Sequence, residues 1–169
     1  SKDMAQALWV SRPLQLAATT APEFLDTGFD YGKTYAYLVR SVVVAEGVQR
    51  ESGDSQVDVV TPRDTFPPAA PQGVVAAVIP GSATGSLVVD LSWSLNVEAD
   101  LAGYRLYRSE QEGTPGQLLM PDLLPTPAYR DNSVSSGKRY WYAVTAVDRA
   151  GNESAPSAAV AVDVTQPSP

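Results

Sequence analysis

Four side chains could do recognition chemistry: Arg105, Tyr107, Arg139 and Trp141. They fall in two extended stretches, 103–109 and 138–148. Strand alternation puts Arg105 and Tyr107 on one face of the first, and Arg139 and Trp141 on one face of the second. Adjacent antiparallel strands bring such residues together as cross-strand pairs. An exposed Trp framed by Arg can anchor a protein or sugar partner, because Trp, Tyr and Arg dominate binding hot spots. The plainer alternative is an Arg–aromatic stack that only stabilises the sheet.

The oxygen-rich turns carry less. Asn96, Glu98 and Asp100 lie close together before the stretch 103–109, and Asp148, Asn152 and Glu153 cluster after 138–148. Such loops can hold calcium. The D-x-[DN]-x-[DN]-G pattern is absent from both, however, and Asp and Asn are ordinary turn formers. Asn152-Glu153-Ser154 is a glycosylation sequon that matters only in a eukaryotic secretory host. The 169 residues include no His and no Cys. Thiolate chemistry, Cys/His zinc sites and imidazole acid–base steps are thereby excluded. No carboxylate pair sits in a pocket-like apolar context, and no glycine loop is built to cradle phosphate. The sequence assigns no catalytic residue, no metal ligand and no cofactor, and the expectation is a chain that is not an enzyme. The net charge of −7 argues against a nucleic-acid partner. No run of about 18 apolar residues occurs, so no membrane span is expected.

The elements that position these residues come in two copies. Phe24-Leu25-Asp26 reappears as Tyr129-Arg130-Asp131, and Gly32-Lys33-Thr34-Tyr35-Ala36-Tyr37 as Gly137-Lys138-Arg139-Tyr140-Trp141-Tyr142, at an offset of 105. Val39 matches Val144 and Val42 matches Val147. After a loop of different length, Glu51-Ser52 matches Glu153-Ser154 and Ser55 matches Ser157. Self-similarity of this kind marks tandem structural units.

The second copy, 72–164, reads as roughly seven short strands broken by Gly, Pro, Asn and Asp. They fall at 73–79, 86–94, 103–109, 117–120, 128–131, 138–148 and 158–164. Leu87, Val89, Leu91 and Trp93 alternate with a second, mostly polar set. Tyr104 and Leu106 share one face, as do Tyr140, Tyr142, Val144 and Ala146. No continuous helical stripe is visible. Strands at this spacing predict an antiparallel sandwich.

The unit resembles a fibronectin type III repeat of the kind found in bacterial extracellular proteins. The match rests on Leu91-Ser92-Trp93, the run Asp100-Leu101-Ala102-Gly103-Tyr104-Arg105-Leu106-Tyr107-Arg108, Tyr129-Arg130-Asp131, Gly137-Lys138-Arg139-Tyr140, and Ala146-Val147-Asp148-Arg149-Ala150-Gly151-Asn152-Glu153-Ser154. The resemblance implies an all-β fold of two immunoglobulin-like sandwiches in tandem. It makes Trp93 and Tyr104 core residues. It puts Tyr140, and Tyr35 in the first copy, at the corner position where the hydroxyl bonds nearby backbone.

The first copy, 1–62, has counterparts of the later strands only: 8–10 or, extended, 8–16, then 23–26, 33–44 and 56–60. Ser1 falls opposite Leu106. A Pro-rich linker, 63–71, is expected to be stiff, and 165–169 form a tail. Tyr35, Tyr37 and Val39 would be half of a core, so the expectation is that something covers them. The cover would be an upstream part of the same polypeptide or a protein partner. The functional expectation is a non-catalytic spacer or protein-interaction module of a larger extracellular or cell-envelope protein, secreted or lipid-anchored. The alternatives are an accessory region of a secreted hydrolase, or a carbohydrate-binding module using Trp141 and Tyr107.

Overall fold

The computed structural model describes residues 13–165. They form strands, turns and extended connections, with no helix among the described residues. The chain divides into two units, Ser1–Asp64 and Thr65–Pro169.

The first unit contains β1 (Tyr35–Tyr37), β2 (Val42–Ala45), β3 (Val48–Glu51) and β4 (Asp58–Val60). β1 pairs antiparallel with β4, Tyr35 opposite Val60 and Tyr37 opposite Asp58. β2 and β3 form a hairpin. Its two turn residues, Glu46 and Gly47, have φ of 53° and 77°. A type I′ two-residue turn has positive φ at both central positions, which Gly47 adopts freely and Glu46 only at a cost.

The expected strand over 33–44 is therefore broken into β1 and β2. Its counterpart in the second unit, β10 (Arg139–Asp148), pairs with β7 (Leu101–Ser109) on one flank and β11 (Val160–Asp163) on the other. Among the described residues the first unit has no strand on the β7 side. Between β1 and β2 the chain is held by two serines, as it is in the second unit: Ser55 Oγ accepts from Val39 N–H and Ser52 Oγ from Ser41 N–H, at 2.9 and 3.0 Å. The short strand expected at 23–26 does not form. The one at 56–60 narrows to β4. The segment 8–10 lies outside the described residues.

The second unit adds β5 (Val75–Pro80), β6 (Leu87–Ser92), β8 (Gln117–Leu118) and β9 (Ala128–Asp131) to β7, β10 and β11. One sheet runs β11-β10-β7-β8 and the other β5-β6-β9, all antiparallel. Both sheets turn apolar inner faces to a single core. β6 gives Leu87, Val89 and Leu91, and Trp93 follows it. β7 gives Tyr104 and Leu106. β10 gives Tyr140, Tyr142, Val144 and Ala146. Fully burying a Val or Leu side chain is worth about 1.5–3 kcal/mol, so this cluster is the main source of the unit's stability. Gly103 lets the chain connecting β8 to β9 approach β7: a Cβ there would lie 2.7 Å from Leu124 O. Tyr104 and Leu124 exchange backbone hydrogen bonds at that point.

The stretch 63–71, expected as a linker, is partly built into this unit. Pro71 is fully buried. Ala69 N–H donates to Glu98 Oε1 at 2.7 Å and Ala69 O accepts from Asn96 Nδ2 at 2.9 Å. The first unit is the opposite case, since none of residues 13–64 is buried.

Candidate functional site

The outer face of β7 and β10 carries the four residues singled out above, and the register sorts them into two groups. Arg105 lies opposite Thr145, Tyr107 opposite Ala143, and Ser109 opposite Trp141.

Arg105 and Tyr107 converge on Glu153, just past the turn that follows β10. Arg105 Nη1 donates to Glu153 Oε2. Tyr107 Oη and Thr145 Oγ1 donate to Glu153 Oε1 at 2.6 and 2.7 Å. Glu153 is held there by the bridge between Val147 and Glu153 across the turn. Partial burial alone would push the Glu153 carboxyl up; the hydrogen bonds from Tyr107 and Thr145, with the Arg105 charge, outweigh this and hold it below its ordinary range. Burial and the bond to Glu153 push the Tyr107 phenol up. Arg105 Nε is buried and has no hydrogen-bond partner. The carboxylate thus takes three donors from its own sheet, which suits a structural clamp better than a general base.

Trp141 and Arg139 form the second group. The Arg139 guanidinium stands 5.6 Å from the Trp141 ring centroid. Its Nε lies 3.3 Å from Asp163 Oδ1 on β11. The neighbours directly across from Trp141, Ser109 and Ala161, are small, so the half-buried ring lies over the sheet beside them. Replacing Trp141 with alanine should cost about 1 kcal/mol or less, the worth of an exposed cation–π contact. Urea unfolding followed by circular dichroism checks this. A loss of several kcal/mol would put Trp141 in the core.

The oxygen-rich turns are engaged with backbone. Glu98 takes the Ala69 N–H, and Asn96 Nδ2 also donates to Glu98 Oε2 at 3.2 Å. Asp148 accepts from the Asn152 N–H and side-chain amide, both at 2.8 Å, closing the turn after β10.

A charged pair that the sequence left unmarked joins the two sheets. Asp131, at the end of β9, is 1% exposed. It accepts from Arg108 Nη1 at 2.6 Å, Tyr142 Oη at 2.9 Å, and the Ser133 hydroxyl and N–H at 2.7 and 2.8 Å. The Arg108 guanidinium also sits 4.9 Å from the Tyr140 ring centroid. Burial would raise the Asp131 pKa, but the Ser133, Tyr142 and Arg108 bonds together hold it below the carboxylate range. Burial and the Asp131 charge push the Tyr142 phenol far up.

The structural residues are placed as follows. Trp93 is 6% exposed and meets Tyr104 edge-on at 5.3 Å. Its indole Nε1 is buried and has no hydrogen-bond partner within the protein. Tyr104 Oη accepts from Asn96 N–H at 2.8 Å. Tyr140 Oη accepts from Ser135 N–H at 3.1 Å, and Tyr35 Oη from Asp30 N–H at 2.8 Å.

No protein-family model matches the sequence. Exoglucanase B of Cellulomonas fimi is 33% identical over 160 residues, covering 90% of this chain and 13% of that protein. An amylopullulanase of Thermoanaerobacterium thermosulfurigenes is 32% identical over 136 residues, covering 80% of this chain and 6% of that protein. The chain thus spans only a small part of the relatives it matches. Among solved structures, the FN1–FN3 domains of chicken CNTN1 superpose with a TM-score of 0.53 at 17% identity, over 83% of this chain and 46% of that one.

Proposed function

We propose that this chain, whose second unit is a fibronectin type III-like sandwich, is a non-catalytic accessory segment of a larger, extracellular polysaccharide-cleaving protein. The observation that carries this reading is the size relation to its relatives. It matches an exoglucanase and an amylopullulanase over 13% and 6% of their lengths, and a segment of that size is an appendage to the enzyme body. The geometry agrees. The outer-face carboxylate, Glu153, is held by three donors from its own sheet, and Asp131 is buried between the sheets. Among the described residues, one hollow is lined by Pro71, Val74 and Ala159 and another by Ser109, Gln111 and Thr114. Neither contains the facing pair of carboxylates that glycoside cleavage uses. These relatives favour the hydrolase-accessory role over a free-standing surface adhesin. Spacing and protein contact are the work such a sandwich does within it.

The purified chain should therefore release no reducing sugar from cellulose, starch or pullulan above a buffer blank. Turnover abolished by Glu153→Gln or Asp131→Asn would refute the reading. A sugar-binding role through Trp141 and Tyr107 is separated from it by pull-down on insoluble cellulose and starch. Binding that Trp141→Ala abolishes would replace the spacer role with a carbohydrate-binding one.

A further inference from the structure

The first unit repeats half of the second unit bond for bond. Tyr35 and Tyr140 accept from the backbone N–H five residues upstream. Tyr37 donates to Asp26 at 2.8 Å, as Tyr142 does to Asp131 at 2.9 Å. Asp26 in turn accepts from Gly28 N–H, as Asp131 does from Ser133 N–H. Gly32 N–H donates to Pro62 O, as Gly137 N–H does to Val164 O. Ser55 and Ser52 take the Val39 and Ser41 N–H groups, as Ser157 and Ser154 take those of Val144 and Ala146. A chain that keeps all these bonds is the same half-sandwich.

Exposure is where the copies part. Tyr142 and Val144 are 0% exposed, whereas Val39, the counterpart of Val144, is 72% exposed. Phe24 and Val60, counterparts of the partly buried Tyr129 and Val162, are exposed as well. In the second unit Leu87, Val89, Leu91, Trp93 and Leu106 complete the cluster around these positions. No described residue of the first unit takes that place. On this face Phe24, Val39 and Val60 are exposed and Tyr35 and Tyr37 are half-buried, and apolar side chains left open together on one face mark an interaction site.

We infer that the inner face of the first unit, formed by Phe24, Tyr35, Tyr37, Val39 and Val60, is an acceptor for a polypeptide segment of matching chemistry. That segment has three extended strands whose inward positions are apolar, as they are in 74–78 and 87–93 and at Tyr104. Its source is the same polypeptide, on the N-terminal side of β1, because in the second unit β5, β6 and β7 precede the strands they cover.

The test duplicates residues 66–105 directly ahead of Ser1, where the 105-residue offset joins the repeat in register. The full 169-residue chain should bind the apolar dye anilinonaphthalene sulfonate. It should show one cooperative thermal transition, that of the second unit. The fusion should lose most of the dye signal and gain a second cooperative transition. A fusion carrying Leu91→Asp and Trp93→Asp in the added copy alone should do neither. It keeps the second unit's own transition as an internal check on folding. The inference is overturned if the natural chain binds no dye, or if it self-associates with the dye signal lost. It is equally overturned if the unmodified fusion, with its second unit folded, leaves the dye signal unchanged. Equal dye loss on adding a free 66–105 peptide to the natural chain would overturn the same-polypeptide source.

Discussion

Trp93→Ala should cost the second unit about 3–5 kcal/mol, the usual range for truncating a buried large aromatic. Trp93 sits where β6 leaves the sheet, anchored by its N–H to Pro127 O at 3.0 Å. Its ring fills the core against Tyr104. Because the indole Nε1 bonds nothing in the protein, the whole loss is one of packing. Trp93→Phe should therefore recover most of the stability, which would not happen if a hydrogen bond were at stake. Urea midpoints for the three proteins decide the matter. A cost below about 1 kcal/mol for alanine would mean that the core is centred elsewhere.

Asp131→Ala should be comparably damaging, at about 3–5 kcal/mol, because it leaves a largely buried guanidinium uncompensated. The Arg108 side chain is 21% exposed and cannot recover full hydration by a small shift. Tyr142 Oη would lose its acceptor as well. Asp131→Asn keeps the shape and should cost less.

The pH dependence follows from the direction of the shift. The folded state holds the Asp131 carboxyl below its unfolded value. Its stabilisation is therefore complete above the ordinary carboxylate range and is lost as the pH falls through the lowered folded-state pKa. Glu153 acts in the same direction. Asp131→Asn should accordingly unfold with a flatter acid limb than the parent chain. An unchanged limb would show that Asp131 does not titrate with folding.

Much of this architecture is legible in the sequence because strand period and turn residues are local signals. Leu87, Val89, Leu91 and Trp93 alternate cleanly, and Gly137 followed three residues on by Tyr140 marks the corner. The side-chain networks are not legible, because they depend on register between distant segments. Glu153 reads as a turn carboxylate until β7 brings Arg105, 48 residues away, beside it. Nothing local to Asp131 or Arg108 says that they meet between two sheets. The break between β1 and β2 was hidden for a related reason. Residues 33–44 alternate like 138–148, but the length of a strand is fixed by its neighbours, and in the first unit the flank toward β7 has none among the described residues.

The central claim is that one architecture occurs twice, closed in the second unit and open in the first. Hydrogen exchange of backbone amides in the natural chain tests it most directly. Amides of β10 and β7 that bond between these two strands should exchange only with global unfolding, while those of β1 and β4 should exchange faster by several orders of magnitude, through local opening. Amides of Tyr35–Tyr37 and Asp58–Val60 protected to the level of Tyr142–Ala146 would contradict the account.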